Sequence, residues 1–207
     1  MDQHSEEWFA ARRGKVTASR VADLMAKTKS GYSTSRQNYM AELICERLTG
    51  LTAERYSNAA MQWGTDNEPN AKAAYAFITD TAIEGVGFTP HAIIADFGAS
   101  PDGLIGSDGL IEIKCPLTAT HIETLLGGSI DGKYITQMQV QMACTGRAWC
   151  DFVSFDPRMP VDMQLHIQRF PRDAVRIAEI VSEVTGFLAE LKAKIATLET
   201  RYGKQAA

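Results

Sequence analysis

Asp102, Glu112 and Lys114 are the residue types that hydrolyse a phosphodiester with the help of a divalent metal. Residues two apart on a strand share a face, so Glu112 and Lys114 point together while Ile113 packs on the other side. Two apolar runs around Ser107-Asp108-Gly109 separate this pair from Asp102, which is a hairpin signal. A two-residue Asp108-Gly109 loop would leave Asp102 on the face opposite Glu112. A three-residue Ser107-Asp108-Gly109 loop pairs Leu104 with Glu112 and Asp102 with Lys114, so that all three polar groups share one face. Gly109 then takes the left-handed position that ends such loops. The three-residue loop is the expectation.

Two carboxylates a few ångströms apart repel each other, and a bound Mg²⁺ relieves that repulsion. Mg²⁺ prefers oxygen ligands and keeps several waters, so one or two carboxylates and a substrate phosphate suffice. The ion polarises the phosphoryl oxygen and lowers the pKa of a bound water. Lys114 can orient that water or offset charge on the pentacovalent transition state. Ile113 offers its backbone carbonyl as a further ligand. The bland alternative is a solvated hairpin with a cross-strand Asp–Lys pair, and the apolar residues on both sides of Glu112 and Lys114 argue against it.

Helices, a meander of strands, and further helices must hold these groups. A helix over 5–12 is capped by Ser5 and ended by Gly14, and a second runs from Val16 to about Lys27 with Thr17 or Ser19 as cap. Lys29 to Ser35 reads as a polar loop. A helix over 38–49 closes at Gly50, and another starts at Thr65 or Asp66 so that Pro69 falls in its first turn. Strands are expected near 82–88, 92–97, 103–106 and 110–115, the last stopped by Pro116. Helices over 118–126 and 135–144, strands over 148–155 and 162–170, and a long helix over 173–201 complete the order. The fold class is α/β, in the sense of a mixed α+β sheet flanked by helices. Ile177, Val181, Val184, Leu188, Leu191, Ile195 and Leu198 form a heptad seam on the closing helix. Packing along its own domain is favoured over a subunit contact.

With 207 residues, 45% hydrophobic and 22% charged, the chain reads as one globular domain, 1–207, with an N-terminal helical region and a long C-terminal helix. No apolar run approaches a membrane span and the first residues lack a signal peptide's pattern, so a cytoplasmic address is expected. Cys45, Cys115, Cys144 and Cys150 show no zinc spacing and read as free thiols, with Cys115 in the core. The net charge of −4 does not suggest DNA binding, but its distribution does. Arg12, Arg13, Lys15, Arg20, Lys27, Lys29 and Arg36 face only Asp23 in the same stretch, which suits a local surface for a polyanion.

Together these segments resemble the phage lambda exonuclease family, the YqaJ-like alkaline exonucleases of viral recombination, within the PD-(D/E)xK nuclease superfamily. The likeness spans roughly residues 8–160. It rests on an ordered series: Trp8 with Arg12 and Gly14, then Val16-Thr17-Ala18-Ser19; Trp63-Gly64 with Glu68; Ser100-Pro101-Asp102-Gly103; Glu112-Ile113-Lys114-Cys115-Pro116; Gln137-Met138-Gln139; and Asp156-Pro157-Arg158-Met159. The resemblance implies a restriction-endonuclease-like PD-(D/E)xK core. Asp102 and Glu112 match its metal-binding carboxylates, Lys114 its catalytic lysine, and Glu68 a helix carboxylate that can hold a second metal through water. Arg12, Ser19 and Ser100 match a pocket for the terminal 5′-phosphate, with Gln139 and Gln137 at its edge; polar capping of a buried helix face is the rival reading of these glutamines. Lys29 stands where the family carries an arginine, and lysine lacks the bidentate fork, so the grip on phosphate there is looser.

The resemblance further implies a Mg²⁺-dependent enzyme, with Mn²⁺ as a substitute, that degrades one strand of duplex DNA from the 5′ end. It implies a ring-shaped homotrimer acting on double-stranded DNA ends, a single-strand-annealing partner protein, and a phage or prophage gene expressed in a bacterial host cell. A structure-specific endonuclease or resolvase of the same superfamily is the alternative, but such an enzyme has no need of an end-phosphate pocket. A non-catalytic DNA-end module would have lost at least one of Asp102, Glu112 and Lys114. The iron–sulfur branch is rejected, because no cysteine follows Cys150.

Overall fold

The computed structural model describes residue 3 and residues 5–52 and 58–203. Helix α1 (Glu6–Arg12) starts where the Ser5 hydroxyl accepts from the Trp8 N–H. Strand β1 (Val16–Thr17), a 3-10 turn (Ala18–Arg20) and helix α2 (Val21–Met25) follow. A small hairpin, β2 (Lys27–Thr28) and β3 (Gly31–Tyr32), leads to α3 (Thr34–Thr49), which Gly50 ends in a left-handed conformation. After α4 (Ala59–Thr79) come β4 (Ile83–Glu84), β5 (Thr89–Pro90), β6 (Phe97–Ala99), β7 (Gly103–Ile105) and β8 (Gly109–Lys114). Helices α5 (Thr118–Leu125) and α6 (Gly132–Thr145) cross over to β9 (Trp149–Phe155). A short 3-10 turn (Val161–Met163), β10 (Leu165–Pro171) and the long α7 (Ala174–Tyr202) complete the fold.

The main sheet has the order β10-β9-β8-β7-β4, with β8 and β9 parallel and the other neighbours antiparallel. A parallel pair needs a crossover, and α5 with α6 supplies it. Strand alternation divides β8 between two layers. Ile111, Ile113 and Cys115 pack with Val153 and Phe155 against Ala71 and Tyr75 of α4. Leu110 packs with Cys150 and Phe152 against Met138 and Met142 of α6. Glu112 and Lys114, in phase with Leu110, therefore face the α6 layer, and Cys115 is core, as its position on the strand indicated. A second sheet of order β1-β6-β5 and the helices α2, α3 and α7 enclose the third cluster.

Several boundaries differ from the sequence reading. Val16-Thr17 is a strand paired in parallel with Phe97-Gly98, so the expected helix begins only at Val21. The 29–35 loop contains a hairpin, and α3 starts earlier than expected. Helix α4 begins at Ala59, where the Asn58 side chain accepts from the Met61 N–H, so Pro69 lies inside the helix and not in its first turn. An interior proline costs about 3 kcal/mol; here it sits on the exposed side, above the exposed Thr65 whose carbonyl loses its partner. On α7, Ile180, Val184, Phe187 and Leu191 pack into the chain's own core, while Val181, Leu188 and Ile195 of the seam are half-buried beside them. The favoured reading of that stripe agrees with this packing.

Candidate active site

The β7–β8 register pairs Gly103 with Ile111, Leu104 with Leu110 and Ile105 with Gly109. The loop is three residues long, as the chemistry required, but it is Gly106-Ser107-Asp108. Continuing the register by one step sets Asp102 opposite Glu112 instead of Lys114. Because the slip is two residues, the faces are preserved, and the three polar groups still share one side. The left-handed residue is Gly106, with φ of 51°. Gly109 is needed for a different reason: a Cβ there would collide with the Trp149 indole. Arg147 fixes the turn from outside, its Nη1 donating to the carbonyls of Ile105, Gly106 and Gly109 at 3.1, 2.8 and 2.8 Å.

Asp102 Oδ2 accepts from the Ile113 N–H at 2.7 Å, which ties the loop carboxylate to the strand beside Glu112. Glu112 is fully buried. Its Oε1 lies 2.5 Å from Lys114 Nζ, and its Oε2 accepts from Gln141 Nε2 at 2.5 Å. Burial first, then the charge of Glu112 and more weakly that of Glu68, push the Asp102 carboxyl well above the usual carboxylate range, against the pull of Lys114. Burial disfavours the Lys114 ammonium, but Glu112 and Asp102 outweigh it and hold its pKa above the ordinary lysine value. The site thus carries more negative charge than Lys114 can balance.

The donor set fits a hard divalent cation on two observations. The fully buried Glu112 carboxylate has a single cation, Lys114, beside it, and Asp102 is destabilised as an anion by burial and by the charge of Glu112. Among the described residues no three His, Cys, Asp or Glu side chains converge on one point. The protein donors on offer are the two carboxylates and the Ile113 carbonyl, which suits an ion that keeps much of its water. Glu68 stands on the wall of the same cleft, where its Oε1 pairs with Lys72 at 2.7 Å.

Two cavities meet at Lys114. One, of about 560 Å³, lies between α4 and β8 and is lined by Trp63, Glu68, Asp102, Lys114 and Pro116. The other, of about 860 Å³, lies between α5 and α6 and is lined by Thr120, Gly127, Lys133 and Ser154. Tyr134 borders both, with Lys114 Nζ 5.0 Å and Lys133 Nζ 4.8 Å from its ring centroid.

The residues read as an end-phosphate pocket are only partly brought together. Buried Arg12 donates from Nη1 to Ser100 Oγ at 3.0 Å, lies over the Trp8 ring, and shares that hydroxyl with Trp8 Nε1 at 2.9 Å. Ser19 is exposed in the 3-10 turn and, among the described residues, hydrogen-bonds to neither. Lys29 is exposed at the turn of the β2–β3 hairpin. Gln139 is buried elsewhere, donating to the Pro171 carbonyl and accepting from the Asp173 N–H, both at 2.9 Å, so it caps the start of α7. That is the polar-capping alternative, and the reason is geometric: residues two apart on a helix point about 200° apart. Gln137 is half-buried on the face shared by Gln141, four residues on.

Gln141 is the residue that sequence reasoning missed, although a 137/141 spacing on a helix following the hairpin was its available signal. The expected basic surface is also corrected. Arg20 pairs with Asp23 and Glu42, Lys27 with Glu183, and Arg36 with Glu190, so much of that charge is neutralised within the fold. All four cysteines are free, and burial pushes the Cys115 thiol up to about 12, which leaves it inert. Among the described residues no helix is long and apolar enough to cross a membrane.

Residues 7–148 match the YqaJ-like viral recombinase domain family. Among solved structures, the chain is 60% identical to LHK-Exo in complex with dAMP, covering 95% of this chain and 97% of that one, with a TM-score of 0.89. The alkaline exonuclease LHK-Exo from Laribacter hongkongensis is 59% identical over the same coverage, with a TM-score of 0.88. A phage-related exonuclease from Haemophilus somnus 129PT, 16% identical over 89% of this chain and 96% of that one, has the same fold at a TM-score of 0.69. No curated protein matches the chain. The fold is of the PD-(D/E)xK nuclease type.

Proposed function

The chain belongs to the YqaJ-like viral recombinase domain family and is a DNA exonuclease, and from that premise we propose a Mg²⁺-dependent, 5′-to-3′ action on linear duplex DNA. One strand is degraded and a 3′ overhang is left for single-strand annealing. The observation that carries this reading is the Asp102–Glu112–Lys114 set, two carboxylates whose mutual repulsion is only partly offset by one lysine. A relative 60% identical is described in complex with dAMP, and a deoxynucleoside monophosphate is what stepwise hydrolysis from an end releases.

Asp102, Glu112 and the Ile113 carbonyl would hold Mg²⁺, or Mn²⁺ in its place, with Glu68 reaching the site through water. Such an ion, when bound, polarises the phosphoryl oxygen and lowers the pKa of its water. Lys114 keeps a permanent positive charge beside Glu112, where it orients the attacking water and offsets charge on the transition state. Gln141 holds Glu112 in one orientation. Arg12 and Ser100 form the donor side of a cradle for the terminal 5′-phosphate, and Ser19, Gln137 and Lys29 are assigned to the DNA contact on the family resemblance alone. Gln139 serves the fold in this reading. A homotrimeric ring and an annealing protein complete the proposal, in the cytoplasm of a phage-infected or prophage-bearing host.

Linear 5′-labelled duplex and closed circular DNA, each with Mg²⁺ and with EDTA, test the reading. Degradation of the linear form alone, abolished by EDTA, is expected. Nicked or cut circles would move the assignment to a structure-specific endonuclease.

A further inference from the structure

The Asp156-Pro157-Arg158 segment has no part in the chemistry described so far. It follows β9, whose Ser154 is level with Lys114, so it emerges at the same end of the sheet as the carboxylates. Asp156 is fully buried and accepts from the Arg158 backbone N–H at 3.0 Å, from Nε at 2.7 Å, from Nη2 at 2.9 Å, and from the Thr118 hydroxyl at 2.7 Å. The guanidinium lies over the Trp63 ring, 4.3 Å from its centroid, and Nη2 is 3.5 Å from the Pro116 carbonyl. Trp63 and Pro116 both line the cleft that contains Asp102 and Lys114.

A guanidinium presents five N–H donors in a rigid fork. Asp156 takes the Nε–Nη2 edge. The Nη1 side has no hydrogen-bond acceptor among the described residues, on a side chain that is 44% exposed. Arg20, Lys27 and Arg36, by contrast, are spent in ion pairs with carboxylates of other helices. We infer that Arg158 is a phosphodiester contact at the mouth of the cleft, its outer edge receiving a backbone phosphate of the strand that crosses toward Asp102. This rests on the nuclease reading above. Asp156 cancels much of the charge at long range, so the contact acts through directed hydrogen bonds. The carboxylate and the indole fix the fork beforehand, so little rotamer freedom is lost on binding.

The fold supplies its own control. Arg169 has the same construction: two bonds to buried Asp151, at 2.8 and 2.9 Å, and a Trp149 ring 3.5 Å from the guanidinium. It is set back from the carboxylate end of the sheet: Arg169 is level with Asp151, and Asp151 with Ile111, three residues before Lys114. KM for linear duplex, kcat and melting temperature should be compared for wild type, Arg158→Ala, Arg158→Lys and Arg169→Ala over a range of salt. Arg158→Ala is expected to raise KM about tenfold with little change in kcat, and to reduce the slope of log KM against log salt by a fraction of the roughly one unit that an unpaired cation gives. Arg158→Lys, which keeps the charge and loses the fork, should fall between, and its KM decides the matter if the alanine variant does not fold. Arg169→Ala should lose stability with neither change. Arg158 variants whose KM and slope match those of Arg169→Ala overturn the inference; a wild type that leaves linear duplex intact overturns the nuclease reading instead.

Discussion

Gln141 Nε2 donates to Glu112 Oε2 at 2.5 Å inside the α6 layer, where neither side chain reaches water. That bond leaves the other carboxylate oxygen of Glu112 facing Lys114, so an uncharged residue sets the orientation of the charged pair.

Removing the amide should therefore act on the site through Glu112. Gln141→Ala is expected to lower activity about 10–100-fold, the usual cost of losing a partner that orients a ligand. The Mg²⁺ concentration for half-maximal rate should rise with it. An activity loss at unchanged Mg²⁺ dependence would show that Gln141 supports packing and not the carboxylate.

Asp102 should trade stability for function. Its carboxyl is raised in the folded chain, so between the unfolded and folded pKa values the native state binds more protons, and metal-free stability falls as pH rises through that window. Asp102→Asn is expected to raise the melting temperature at neutral pH without metal, while abolishing turnover. Mg²⁺ should stabilise the wild type and leave the variant unchanged. A variant that melts lower than wild type in EDTA would contradict the electrostatics.

Asp156 has the opposite sign. The Arg158 guanidinium, helped by the Thr118 hydroxyl, holds its carboxyl at about 2 against an ordinary value of 3.8. Its contribution, about 2 kcal/mol, is fully present above the unfolded value and is lost as pH falls through the folded one. Acid unfolding of Asp156→Asn should lose the part of the wild-type pH dependence lying between about pH 4 and pH 2. Superimposable acid curves would mean that the pair contributes nothing.

Arg12 should read the DNA end. A dianionic 5′-phosphate can take a charge-assisted contact worth about 1.5–3 kcal/mol, so 5′-phosphate ends should be degraded roughly tenfold or more faster than 5′-hydroxyl ends. Arg12→Ala should erase most of that ratio by slowing the phosphorylated substrate alone. An unchanged ratio would pass the role to another basic residue such as Arg13 or Lys15.

The sheet, the shared face of the catalytic set and the inward packing of α7 could be read from the sequence, because strand and helix periods depend only on local spacing. The hairpin register slipped by two, since what fixes it is Arg147 and Trp149, residues that follow the crossover. The start of α4 was hidden because Pro69 resembles a first-turn proline and the Asn58 cap carries no apolar period before it. The basic stretch misled for a related reason: Glu42, Glu183 and Glu190, which neutralise it, are brought in by α3 and α7. Gln139 turns to the start of α7 and Gln141 to Glu112, because a tripeptide motif does not show how the helix turns its ends apart.

The order of release from a linear duplex tests the central claim most directly. With Mg²⁺ and 5′-phosphorylated ends, duplex labelled at the 5′ nucleotide should release mononucleotide from the first turnovers, while duplex labelled at the 3′ nucleotide should retain its label in a long single strand. Asp102→Ala should release neither. Early loss of the 3′ label, or internal fragments before any mononucleotide, would contradict a 5′-to-3′ exonuclease built on Asp102, Glu112 and Lys114.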